Sequence, residues 1–223
     1  MPDPHRIEGE LLALLSRPQY SSIFYTRNQF RNVYHHMKKA DDPVWTPQLI
    51  AKYTADHVWK ARGMLDPVEV VELKGPLELY RAYDGGVRID SARTLGRYWF
   101  DRPVLEEIWD VAGKYPGKDR KQTLMEFLRA ANFVLPEWND MKEIAVMLVP
   151  AGASVVVVRG KGNWKSMRTN KRPLGGPPIA TQADVIDKLG MVPIPGTMQY
   201  CIPLFNDSWV TQVPRSSKWP LYS

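Results

Sequence analysis

The sequence predicts an α+β domain with a helical N-terminal extension. Three observations lead there. Residues 1–66 place apolar side chains at helical spacing, from residue 68 onward short apolar runs are bounded by glycine and proline, and helical patterns fall between those runs. The chain has 223 residues, enough for one domain of ordinary size or a domain with an extension.

Taken in order, Leu11, Leu12, Leu14 and Leu15 form an apolar segment ended by Pro18. A second helix is expected from about Ser21 to Lys39, where Phe30, Val33, Tyr34 and Met37 follow an i, i+3, i+4, i+7 pattern. A third begins at Thr46, an N-cap type, with Pro47 in the tolerated first-turn position. Ile50, Tyr53, Thr54 and His57 share one face of it, and Gly63 and Pro67 mark its end. His35 and His36 diverge by roughly 100° on a helix, and neither they nor His5 and His57 have metal-ligand spacing.

Composition shifts at Val68 to Leu73, a strand, followed by the turn Lys74-Gly75-Pro76. The next strand, Leu77 to Tyr83, carries Arg81 among apolar residues, and Asp84-Gly85-Gly86 makes a tight turn. Asp101 and Pro103 start a helix with Val104, Leu105, Ile108 and Val111 on its apolar side, and another follows through Leu124, Phe127, Leu128 and Ala131. Glu143 to Val149 and Ser154 to Val158 are almost wholly apolar, so both belong inside a sheet, joined as an antiparallel pair by a type I turn at Pro150-Ala151-Gly152. A short helix around Thr181 to Leu189 precedes strands at Met198 to Phe205 and Trp209 to Val213.

The formal net charge of +6 favours encounters with anions, from nucleotides to acidic protein faces. Residues 159–178 concentrate this charge in Arg159, Lys161, Lys165, Arg168, Lys171 and Arg172 with no acidic residue. Cys201 is the only cysteine, which excludes an intrachain disulfide and argues against a thiolate metal site. The chain holds no apolar run of about 18 residues and no secretory-type leader, so the expected setting is cytoplasmic, in the producing cell or in a target cell after non-classical delivery.

The residue richest in chemical implication is Arg81. Alternation sets Leu77, Leu79, Arg81 and Tyr83 on one face, and a guanidinium turned inward needs an anion or a set of acceptors. A planar fork suits phosphate. Pairing with an internal carboxylate, or a strand turned so that Glu78 and Tyr80 face inward, satisfies the same pattern.

Three blocks together resemble the ADP-ribosyltransferase fold, in particular the toxin-type domains of bacterial polymorphic effectors: Tyr80-Arg81-Ala82-Tyr83-Asp84-Gly85-Gly86, then Gly96-Arg97-Tyr98-Trp99-Phe100, then Leu135-Pro136-Glu137-Trp138-Asn139 followed by Val149-Pro150-Ala151-Gly152 and Gly196-Thr197-Met198-Gln199-Tyr200. The similarity covers roughly residues 75 to 213. It implies a split antiparallel sheet over residues 67–223 preceded by the helical region 1–66, and NAD as substrate without a metal. It implies Arg81, Tyr98 and Gln199 as catalytic residues, and Arg81, Tyr83, Gly85, Arg97, Tyr98, Trp99 and Phe100 around the dinucleotide. Lys161, Lys165, Arg168 and Arg172 fall where the family carries its target-recognition loop. The implied activity is transfer of ADP-ribose to a protein or nucleic-acid target, with an immunity or inhibitor protein as a further partner. NAD hydrolysis by water and a non-catalytic nucleic-acid-binding module are the rival expectations. Two positions depart from the family pattern: Phe100 stands where a hydroxyl residue is usual, and Gln199 where a glutamate is usual, with Glu137 and Glu143 as other carboxylates in the region.

Overall fold

The computed structural model describes residues 3–21, 46–61, 64–83, 85–86, 98–114, 143–162 and 197–213. The expected helices at 21–39, 124–131 and 181–189 lie outside them. The architecture is α+β: helices against a seven-stranded sheet whose neighbours are all antiparallel. In chain order the strands are β1 (Met64–Lys74), β2 (Leu77–Tyr83), β3 (Tyr98–Asp101), β4 (Glu143–Val149), β5 (Ser154–Gly162), β6 (Met198–Cys201) and β7 (Val210–Gln212). Across the sheet they run β1-β5-β6-β3-β2-β4-β7.

The four-residue strand β3 divides this sheet. Its first two residues pair with β6, as Tyr98 with Cys201 and Trp99 with Tyr200. Its last two pair with β2, as Phe100 with Tyr80 and Asp101 with Leu79. One half, β1-β5-β6, therefore departs from one end of β3, and the other, β2-β4-β7, from the other end. The inner faces of both halves share one core, in which Leu79, Met147 and Val149 meet Val155, Val157 and Tyr200.

Three chain crossings join the halves, β1 to β2, β4 to β5 and β6 to β7. The expected hairpin of β4 and β5 does not form: β4 pairs with β2 and β7, and β5 with β1 and β6. Each nevertheless lies inside its half, as its apolar sequence requires. The turn between them closes with Ala153 N–H donating to the Pro150 carbonyl at 3.1 Å, and Gly152 has φ +81°. A positive φ at the third turn residue belongs to type II, so the type I expectation is corrected; glycine is what makes the conformation accessible. The turn lies against the β1–β2 crossing, where Gly75 N–H donates to the Ala153 carbonyl at 2.9 Å. A Cβ on Gly75 would lie 2.1 Å from the Pro150 carbonyl oxygen.

The N-terminal helices pack on the outer face of β1-β5-β6. Helix α1 (Pro4–Leu15) is capped by the Asp3 carboxylate, which accepts from His5 N–H, and buries Ile7, Leu11 and Leu15 at i, i+4, i+8. A single turn, α2 (Pro18–Ser21), follows. Helix α3 (Pro47–Ala61) starts at Thr46, whose hydroxyl accepts from Leu49 N–H at 3.3 Å. Its buried stripe is Ile50, Ala51, Thr54, Ala55 and Val58, which leaves Tyr53 and His57 half-buried at its edge. These residues share a core with Val68, Val156, Val158, Cys201 and Leu204. The boundary expected at residue 66 falls inside β1, near the register shift between Leu65 and Glu69 that accommodates Pro67, a residue without a ladder donor.

A polar knot fixes this layer. Glu72 accepts from Arg17 at 3.2 Å, Gln19 at 2.8 Å, Ser154 at 3.0 Å and the Tyr20 hydroxyl. The Tyr20 bond, then those from Ser154 and Gln19, hold the carboxyl below its ordinary range despite burial. Burial and then Glu72 push the Tyr20 hydroxyl up to about 12. Beside the knot an open cleft of about 510 Å³ is lined by Arg17, Lys74, Gly75 and Gly152 among others, and by none of the expected site residues. Among the described residues no helix is long and apolar enough to cross a membrane.

Candidate active site at the split in the sheet

Arg81, Tyr98 and Gln199 lie on β2, β3 and β6, three adjacent strands at the division. The β2–β3 ladder stops after Tyr80 and Phe100. One residue further along β2, half-buried Arg81 reaches across and its Nη1 donates to the Tyr98 carbonyl at 2.9 Å. The inward-facing reading of β2 holds: Leu79 and Tyr83 enter the inner core, while Glu78 accepts from the Tyr80 hydroxyl at 2.6 Å.

Register assigns the other expected residues to opposite faces. Residues paired across a ladder share a face, so Tyr98, Phe100, Cys201 and Gln199 are outward, and Trp99, Asp101 and Tyr200 inward. Trp99 is 1% exposed and packs edge-on against Phe205, with ring centroids 5.5 Å apart. Tyr83 is fully buried in the same inner core. Both are core residues, separated from the outward aromatic pair, in which Phe100 stacks on Tyr80 at 6.1 Å. Gly85 lies half-buried in the turn after β2, followed by Gly86 with φ +76°. Lys161 is exposed at the end of β5, whereas Arg97, Lys165, Arg168 and Arg172 lie outside the described residues.

Gln199 does not face solvent, the alternative that alternation allowed. It is 5% exposed, and its Nε2 has no hydrogen-bond partner among the described residues. Leaving such a donor unmet costs roughly 1–3 kcal/mol, so a ligand acceptor there would be favoured. Of the two carboxylates named with the resemblance, Glu143 is buried at the start of β4 and accepts from Gln212 at 3.1 Å, and Glu137 is outside the described residues.

Sequence reasoning missed two groups. His57 on α3 places its ring 5.7 Å from that of Tyr98, tilted by 45°. Asp101 joins three elements: Oδ2 accepts from the Tyr200 hydroxyl at 2.7 Å, and Oδ1 accepts from Val104 N–H at 3.2 Å at the start of α4 (Arg102–Gly113). Burial, then the Asp101 hydrogen bond, raises the Tyr200 hydroxyl far above its ordinary pKa, so it stays a donor. The signal for Asp101 was present as an N-cap residue; its second bond, to the residue after Gln199, required the register of β3 against β6.

Comparison with known proteins returned no matching family model, no matching curated protein and no matching solved structure.

Proposed function

We propose that this chain is an NAD-consuming ADP-ribosyltransferase of toxin type that modifies a macromolecule. The observation that carries this reading is the division of the sheet at β3, where Arg81 of β2 donates to the Tyr98 carbonyl and Gln199 lies on the adjacent strand β6. The resemblance requires such a split and those three strands. The residues fit a dinucleotide in kind. Arg81 supplies a fixed planar cation for the pyrophosphate, and the buried Gln199 amide offers a donor to a ribose hydroxyl or the nicotinamide carboxamide. Tyr98 and Phe100 supply aromatic surface on the face that carries Gln199. Gln199 is neutral, so it orients rather than stabilises the cationic character that develops as the nicotinamide–ribose bond breaks. Exposed Lys161 opens the cationic stretch assigned to the target.

Incubation of the folded protein with NAD and a cell lysate tests this. The expected results are a rise in melting temperature with NAD, nicotinamide release and a labelled macromolecule, all lost in Arg81→Ala. Free ADP-ribose without a labelled macromolecule would reassign the acceptor to water. Absence of both a thermal response and nicotinamide release would refute the reading, and tight, steeply salt-dependent nucleic-acid binding in its place would support the non-catalytic module.

A further inference from the structure

We propose that the cleft beside Glu72 is a binding site separate from the split in the sheet, for a small ligand that carries a phosphomonoester. The inference stands apart from the ADP-ribosyltransferase reading, since no residue assigned to that reading lines the cleft. Three segments meet there. The junction of α1 and α2 gives Arg17 and Gln19, the β1–β2 crossing gives Lys74 and Gly75, and the turn into β5 gives Gly152, Ala153 and Ser154. The segments are tied to one another: Gly75 N–H donates to the Ala153 carbonyl at 2.9 Å, and Arg17, Gln19 and Ser154 all donate to Glu72. The walls are therefore fixed before a ligand arrives. The volume, about 510 Å³, falls among those of small-molecule sites, roughly 300–1,000 Å³.

The lining has donors to spare. Glu72 asks nothing of a ligand: its Oε1 accepts from Gln19, Tyr20 and Ser154, and its Oε2 from Arg17. The Arg17 bond is the longest of these, at 3.2 Å, and Glu72 keeps three donors without it. Among the described residues only Nη1 of the exposed Arg17 side chain is engaged, and the exposed Lys74 side chain makes no hydrogen bond or ion pair. Gly152 N–H is likewise unused by the turn. A planar fork, an ammonium and a backbone N–H call for an oxygen-rich anion. A carboxylate brings two oxygens to three donor groups, whereas a phosphomonoester brings three terminal oxygens and a larger charge. The ionised Glu72 in the same wall works against a polyanion laid across the cleft, so a single phosphate on a small molecule fits better than a nucleic-acid backbone.

Calorimetric titration of the full chain at low ionic strength tests the assignment, with inorganic phosphate and adenosine 5′-monophosphate as separate probes and sodium chloride as the blank. Both probes should bind saturably, the nucleotide more tightly because the cleft has room beyond the phosphate. Lys74→Gln alters an exposed side chain without a recorded bond, so its unfolding midpoint should match the parent's, and it should weaken both probes about fivefold or more. Arg17→Gln should weaken them to a similar degree, and the double variant should show no saturable binding. Absence of saturable heat with both probes in the parent would overturn the proposal. So would equal affinity in parent and double variant, which would place the bound phosphate elsewhere. Tighter binding of a single-stranded oligonucleotide than of the mononucleotide, lost in the double variant, would assign these cations to a nucleic-acid backbone and overturn the small-ligand reading.

Discussion

Replacing Asp101 by alanine removes two bonds at once, and the structure separates them. The hydrogen bond from the Tyr200 hydroxyl, at 2.7 Å, ends on a carboxylate beside a buried ring. Such a charge-assisted bond contributes roughly 1.5–3 kcal/mol. The second bond, from Val104 N–H, caps α4 and contributes roughly 1 kcal/mol. Asp101→Ala should therefore lower the unfolding free energy by roughly 2.5–4 kcal/mol, a large share of the roughly 5–15 kcal/mol typical of a domain. Tyr200→Phe should lose only the first part. Asp101→Asn keeps a capping oxygen and should be about 1 kcal/mol less damaging than alanine. Urea unfolding of the single and double variants measures all of this, with a coupling between positions 101 and 200 above about 1 kcal/mol expected for a direct bond. An alanine variant within about 1 kcal/mol of the parent, or strictly additive double variants, would refute the reasoning. Because Tyr200 follows Gln199, the same variants should weaken the melting response to NAD as the register of β6 loosens.

Gln199→Met should leave stability unchanged or raise it by up to about 3 kcal/mol, since an unmet buried donor is replaced by an apolar group of similar length; the NAD-induced melting shift should disappear, and a destabilised variant that still responds to NAD would contradict both statements. Glu72→Gln should cost roughly 1–3 kcal/mol near pH 7. The Glu72 carboxyl is depressed in the folded state, so its contribution is present above its ordinary value of about 4.5 and is lost as pH falls through the lower folded value; melting temperature against pH should accordingly fall less steeply below about pH 4.5 in the variant, and parallel acid limbs would exclude Glu72 as their source. Gly75→Ala should destabilise by more than the ordinary ±0.5 kcal/mol of a surface change, because its Cβ would meet the Pro150 carbonyl oxygen at 2.1 Å; an unchanged unfolding midpoint would show that the crossing can shift.

Local pattern sufficed where one element answered to one signal. Thr46-Pro47, Asp101 and the apolar runs at 143–149 and 154–158 gave helix starts and interior strands, because capping and hydrophobic alternation act within a few residues. Pairing was different. Nothing in Val149 to Ser154 shows that the turn leads into the other half of the sheet, since that depends on β1 and β2 competing for the same ladders. The site suffered in the same way. Arg81 is legible as a cation in an apolar strand, but the resemblance sets Tyr98, Trp99 and Phe100 together around one dinucleotide, and a strand sends alternate side chains to opposite faces. His57 lacks metal-ligand spacing, and its contact with Tyr98, far along the chain, is one that no local spacing encodes.

The division of the sheet is set by arithmetic in β3. Four residues serve two ladders, two apiece, so neither neighbour follows the strand along its whole length. Substituting side chains leaves that count intact, whereas one more paired residue on the β2 side would bring Arg81 opposite Trp99 and draw the halves together. Variation at this strand is therefore freer in residue identity than in length, and a single insertion or deletion within β3 should harm the division more than most exchanges.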